Sequence, residues 1–84
     1  MFCVYVLQSE RDQSYYVGQT KDVEQRLQRH NSGGERYTKL RLPWKIVYVE
    51  NYPTRMEAVQ REEEIKKMKS RKYIAHLIKM RSSP

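Results

Sequence analysis

An 84-residue chain has room for one domain, and at that size folding hides only roughly 60% of the surface the unfolded chain exposes, so the core must be thin. With 17 Lys and Arg against 10 Asp and Glu the formal charge is +7, which points to a polyanionic partner, nucleic acid before membrane. The lone Cys3 excludes an internal disulfide, and no Cys/His cluster has the spacing of a zinc site.

Phe2 to Leu7, rich in β-branched and aromatic residues, predicts the first strand. The same run is too short to span a bilayer and lacks the basic flank and small-residue cleavage site of a signal peptide. A reducing cytoplasm, away from membranes, is therefore expected. The polar stretch Gln8 to Ser14 forms a hairpin loop, and Tyr15 to Gln19 the second strand. Asp22, with Gln25 three residues on, caps a helix over about 22–32 that stops at Gly33-Gly34, Thr20 being an alternative cap. Glu35 to Pro43 has no clear period and reads as a loop, and Lys45 to Tyr52 as the third strand.

Thr54 and Glu57 form a capping box, so a second helix begins there and runs to about Lys69. Ser70 caps a third helix with Tyr73, Leu77 and Met80 on one stripe, leaving 81–84 as a frayed tail. The expected fold is α+β: a small, mainly antiparallel three-stranded sheet with about three helices, in the order β-β-α-β-α-α, forming a single domain over 1–80.

Two polar intrusions into apolar stripes mark candidate chemistry. On the first helix Val23, Arg26, Leu27 and His30 share one face, which places a guanidinium and an imidazole in a thin core. Either Arg26 snorkels outward and His30 is a satisfied edge histidine, or the two belong to a polar site. On the second helix Ala58 and Ile65 bracket Glu62, while Glu63 and Glu64 rotate toward water. Glu62 either pairs with Lys66 one turn on, or binds a metal. Seven tyrosines and one Trp in so basic a chain suit phosphates and bases, although Trp44, just after Pro43, reads as a core anchor.

Val4-Tyr5-Val6 in the first strand and Tyr16-Val17-Gly18 in the second, followed by Arg26 and His30 and then by Arg61 to Lys72 (REEEIKKMKSRK), resemble the GIY-YIG nuclease superfamily, in particular its small bacterial single-domain branch. Nearly the whole chain takes part in the likeness, including Asn31, Tyr37-Thr38 and Pro43. Two departures are Cys3 where the first motif has its leading glycine and Val17 in place of isoleucine.

The resemblance implies a divalent-metal-dependent endonuclease acting on DNA, with RNA a possible substrate. Tyr5, Tyr16, Arg26, His30 and Glu62 would form the site, and Glu62 would hold one Mg²⁺ or Mn²⁺. Tyr5 would be the general base, its pKa lowered by Arg26 and the metal, with His30 sharing or assisting. Tyr16 would position phosphate or water, and Arg26 would stabilise the transition state. Arg36, Lys39, Arg41 and Lys45 around the mid-chain loop, and Lys66, Lys67, Lys69, Arg71 and Lys72 near the last turn, would contact backbone phosphates. Recognition of shape (branched, flapped or single-stranded DNA) in repair or processing is expected more than recognition of sequence. The rivals are a nucleic-acid-binding module without cleavage and a subunit that needs a protein partner.

Overall fold

The computed structural model describes residues 1–82. Strands β1 (Phe2–Ser9), β2 (Tyr15–Thr20) and β3 (Trp44–Tyr52) alternate with helices α1 (Val23–Asn31), α2 (Arg55–Met68) and α3 (Arg71–Ser82) in the order β-β-α-β-α-α. A 3₁₀ turn over Lys39–Arg41 interrupts the segment read as a loop. The sheet is antiparallel with strand order β2-β1-β3, so the first strand is central.

That position explains the uninterrupted apolar run of β1. Val4 and Val6 join Val17, Tyr48, Ala58 and Ile65 on the face covered by α2 and α3. Tyr5 and Leu7, pointing the other way, join Trp44 and the flanking Tyr16, Val23 and Leu27 beneath α1. A strand covered on both faces has no solvent side on which to alternate.

The capping expectations match the geometry. Asp22 accepts a hydrogen bond from the Gln25 N–H (3.1 Å), Thr54 from the Glu57 N–H (3.3 Å) and Ser70 from the Tyr73 N–H (3.1 Å). Lys69 ends α2 in the left-handed region (φ 48°).

Two expectations about α3 change. Tyr73 and Leu77 do face the core, but Ile74 and Ile78 complete the stripe and Met80 is 62% exposed. At 3.6 residues per turn Met80 stands about a quarter-turn from the middle of that arc. The helix also continues through Arg81 and Ser82 instead of fraying, because the Arg81 guanidinium donates to the Val49 carbonyl and lies over the Tyr48 ring at 5.8 Å from its centroid. Residues 83–84 of the expected tail lie outside the described residues.

A polar cluster absent from the sequence reading ties β3 to α2 and α3. Arg61 donates through Nε and Nη2 to the Glu50 carboxylate (2.8 and 3.1 Å) and through Nη1 to the Tyr73 hydroxyl (3.3 Å). Tyr48 and Tyr52 donate their hydroxyls to the same carboxylate. Burial alone would raise the Glu50 pKa, but these donors outweigh it and hold the group below the usual carboxylate range.

Candidate active site

Hairpin register places Tyr5 directly across from Gly18, with Tyr16 two residues earlier on the same face of β2. The missing side chain at Gly18 makes room for the Tyr5 phenol. Helix α1, started by Asp22, lies over this face and delivers His30 from its last turn, fully buried. The Tyr5 hydroxyl is 3.2 Å from His30 Nε2, and His30 Nδ1 is 2.8 Å from Thr38 Oγ1.

Thr38, also fully buried, directs its own hydroxyl hydrogen toward the Glu35 carbonyl (3.5 Å). Its oxygen is then the acceptor for His30 Nδ1–H, which leaves the Nε2 lone pair to accept the Tyr5 O–H. Thr38 is held in turn by Trp44, whose Nε1 donates to the Thr38 carbonyl at 2.9 Å. Asn31 accepts from the Trp44 N–H (2.7 Å) and donates to the Trp44 carbonyl (3.0 Å). Trp44, only 3% exposed, is the expected core anchor.

The rings of Tyr5, Tyr16 and His30 form a cluster, with centroids 6.3 Å apart between the tyrosines, 6.2 Å from Tyr5 to His30 and 4.8 Å from Tyr16 to His30. Of the three, only Tyr16 reaches solvent. Burial pushes the Tyr5 hydroxyl well above the usual tyrosine value, with the neighbouring Tyr16 adding to the rise and Arg26 opposing it. Burial also raises Tyr16, against the pull of Lys66 and Arg26. For His30, burial lowers the pKa, so the ring is neutral near pH 7. The fall expected of Tyr5 rests on Arg26 and a metal together; Arg26 does pull the value down, and burial outweighs Arg26 alone.

Arg26, half-buried one turn before His30, acts electrostatically on Tyr5, Tyr16 and His30. Glu62 is felt by both tyrosines, although it projects from a helix on the opposite face of the sheet. β2 is an edge strand, so the two faces meet there. Geometry joins Tyr5, Tyr16 and His30 in one cluster, with Arg26 one turn before His30, while Glu62 reaches its border through Lys66, which lines a cleft with Tyr16.

Glu62 carries the Lys66 ammonium at 2.6 Å, its side chain 19% exposed against 51% for the lysine. The carboxylate is therefore a seat for a cation, and its present occupant is a flexible exposed side chain. Among the described residues no three His, Cys, Asp or Glu cluster as a metal cage. One carboxylate fits Mg²⁺, an ion that keeps most of its waters.

Lys66, Lys69 and Arg71 line a cleft of about 530 Å³ beside Tyr15, Tyr16 and Tyr37. Arg41 stands over the Tyr37 ring at 4.9 Å and pairs with Asp12 at 3.3 Å. Arg36, Lys39, Lys45, Lys67 and Lys72 are exposed elsewhere, outside this cleft. Thr38 was missing from the expected site. The one signal for it was the Tyr37-Thr38 pair inside a basic loop, whose buried partner is visible only in the fold.

The GIY-YIG catalytic domain model matches residues 1–74. The UPF0213 protein SSP2268 of Staphylococcus saprophyticus subsp. saprophyticus is 45% identical over 64 residues, covering 75% of this chain and 77% of that protein. A UPF0213 protein of Streptococcus pneumoniae serotype 4 is 45% identical over 67 residues, 79% and 67% of the two chains. The solution NMR structure of the UPF0213 protein BH0048 from Bacillus halodurans superposes with a TM-score of 0.62 at 36% identity, covering all of this chain and 89% of that one.

Proposed function

This chain belongs to the GIY-YIG family of nuclease domains, and on that premise we propose that it is a divalent-metal-dependent endonuclease hydrolysing phosphodiester bonds of DNA, selective for branched, flapped or single-stranded shapes, in repair or processing in the cytoplasm. The observation that carries the reading is that Tyr16 packs on the buried Tyr5–His30–Thr38 hydrogen-bond line and shares a cleft with Lys66, the cation that Glu62 holds. The single domain runs to the end of α3, past the expected limit at 80, and a protein partner supplying targeting is compatible with so small a surface.

Hydrolysis joins a water oxygen to phosphorus, breaks the bond to one sugar oxygen, and needs the water proton removed and the developing charge neutralised. Tyr16 is the phenol with access to water, so as phenolate it takes that proton. Tyr5 and His30 have no exposed surface, and we assign them to positioning: their hydrogen bond fixes the ring against which Tyr16 packs. Arg26 forks N–H donors onto the phosphate oxygens. A divalent ion, Mg²⁺ or Mn²⁺, held by Glu62 would supply positive charge to the phosphate and the departing oxygen. The leaving oxygen takes its proton from solvent. Exposed cations around the site bind backbone phosphates with little base preference.

The test is cleavage of labelled branched, single-stranded and duplex DNA, with RNA alongside, in Mg²⁺ or Mn²⁺ against EDTA, by wild type and Glu62→Gln. Metal-dependent cutting lost in the variant supports the proposal. Salt-sensitive binding without cutting by either protein replaces it with a binding module or a partner-dependent subunit.

A further inference from the structure

Tyr37 is out of place for a residue of a thin-cored domain. It is 57% exposed, yet it is held in position: its ring centroid is 6.0 Å from that of Tyr16, tilted by 37°, and the Arg41 guanidinium caps it at 4.9 Å. Arg41 is itself restrained by Asp12, and the backbone next to the ring is fixed by buried Thr38. A large ring left in water but restrained on two sides presents a preorganised flat surface.

The cleft that Tyr37 borders continues along β2. Val17, Ile65 and Ile74 form apolar lining, Lys66, Lys69 and Arg71 supply cations, and Tyr15 forms a second aromatic wall with Arg71 over its ring at 4.8 Å. Arg71 is anchored by donating to the Gln13 carbonyl at 2.9 Å. Rings interleaved with cations match one ligand chemistry: bases for the rings, phosphates for the cations. A paired base inside a duplex has both faces stacked and offers none to a protein ring, whereas an unpaired base offers its face. The volume, about 530 Å³, lies within the range of sites for small flat ligands.

We propose that the cleft beside β2 is a subsite for unpaired nucleotides, in which Tyr37 stacks on a base next to the phosphate at Tyr16 while Lys66, Lys69 and Arg71 hold the flanking backbone. This deepens the nuclease reading and rests on it only for the position of the scissile phosphate. DNA and RNA share the chemistry that the cleft recognises.

Binding in EDTA separates the subsite from cleavage. The probe is a short oligonucleotide carrying 2-aminopurine, as single-stranded DNA, as single-stranded RNA and in a DNA duplex, titrated with full-length wild type, Tyr37→Phe and Tyr37→Leu. Stacking contributes about 1–3 kcal/mol per base, so Tyr37→Leu should bind either single strand roughly 5- to 150-fold more weakly, while Tyr37→Phe keeps both the affinity and the fluorescence quenching. In the duplex, where stacking already quenches the fluorophore, adding protein should not change the fluorescence, and the affinity should not depend on residue 37. Equal affinities of Tyr37→Leu and Tyr37→Phe for both single strands would overturn the proposal, as would a change in duplex fluorescence on adding protein that depends on residue 37. If these variants differ as expected but wild type with metal cuts nothing, the nuclease reading fails and the subsite stands.

Discussion

A Cβ added to Gly18 would stand 2.5 Å from the Tyr5 hydroxyl oxygen and 2.7 Å from its Cζ, because the two residues face each other across the β1–β2 ladder. The glycine of the second motif is thus the space in which the tyrosine of the first one lies.

Gly18→Ala should therefore push Tyr5 off His30 and destabilise the domain by about 1–3 kcal/mol, the usual penalty for overpacking. At roughly 4–8 °C per kcal/mol for a domain of this size, the loss is visible in a thermal melt. Tyr5→Phe should not rescue it, since the ring carbon at 2.7 Å remains. A full rescue would show that only the hydroxyl matters.

The pH profile separates Tyr16 from His30 as proton acceptor. Tyr16 has a pKa above the usual value near 10, so its active phenolate grows about tenfold per pH unit throughout pH 6–9, and kcat/KM should climb without a plateau. His30, lowered from its usual range, is already deprotonated near pH 7 and would give a plateau from there. Initial rates across that range decide, and a flat profile above pH 7 that survives Tyr16→Phe would remove Tyr16 from the role.

Lys66 competes for the carboxylate that the divalent ion would use. An exposed i, i+4 pair is worth about 0.3–0.5 kcal/mol, so Lys66→Met should tighten Mn²⁺ binding by about twofold in isothermal titration. Glu62→Gln should show no Mn²⁺ binding heat and no Mn²⁺-dependent rise in Tm. Unchanged Mn²⁺ affinity in Glu62→Gln would locate the ion elsewhere.

Arg61 should matter more to stability than any cation at the cleft. Arg61→Met leaves the largely covered Glu50 carboxylate without its cation and should reduce stability by about 3 kcal/mol near neutral pH, with Glu50→Gln in the same chain recovering much of the loss. The sign with pH follows from the lowered Glu50 pKa: the stability it contributes is present above the normal carboxylate value and disappears as pH falls through the folded one. Below about pH 4 the wild type should lose stability faster than Glu50→Gln, as urea melts at pH 3 and 7 would show.

Much of the fold was legible because its signals are local. The capping oxygens of Asp22, Thr54 and Ser70 act on N–H groups three residues away, and the β-branched and aromatic run of β1 announces a strand, whose burial on both faces only the fold shows. Arg26 and His30 on one helical face, and Glu62 between Ala58 and Ile65, were readable from the 3.6-residue period alone. Met80 and the end of α3 were misread because they depend on where the helix lands on β3, which the period does not state.

By itself the sequence determined element order, caps and the membership of the GIY-YIG family, all of which depend on residue type and short spacing. Only the tertiary structure decided which phenol meets water, that Thr38 orients His30, that Glu50 and Arg61 pair across 11 residues, and that Tyr37 stands open beside a cationic cleft. The physical reason is burial. Whether a hydroxyl, carboxylate or ring is dry, and what it then binds, depends on chain segments that meet only when the sheet is closed on both faces.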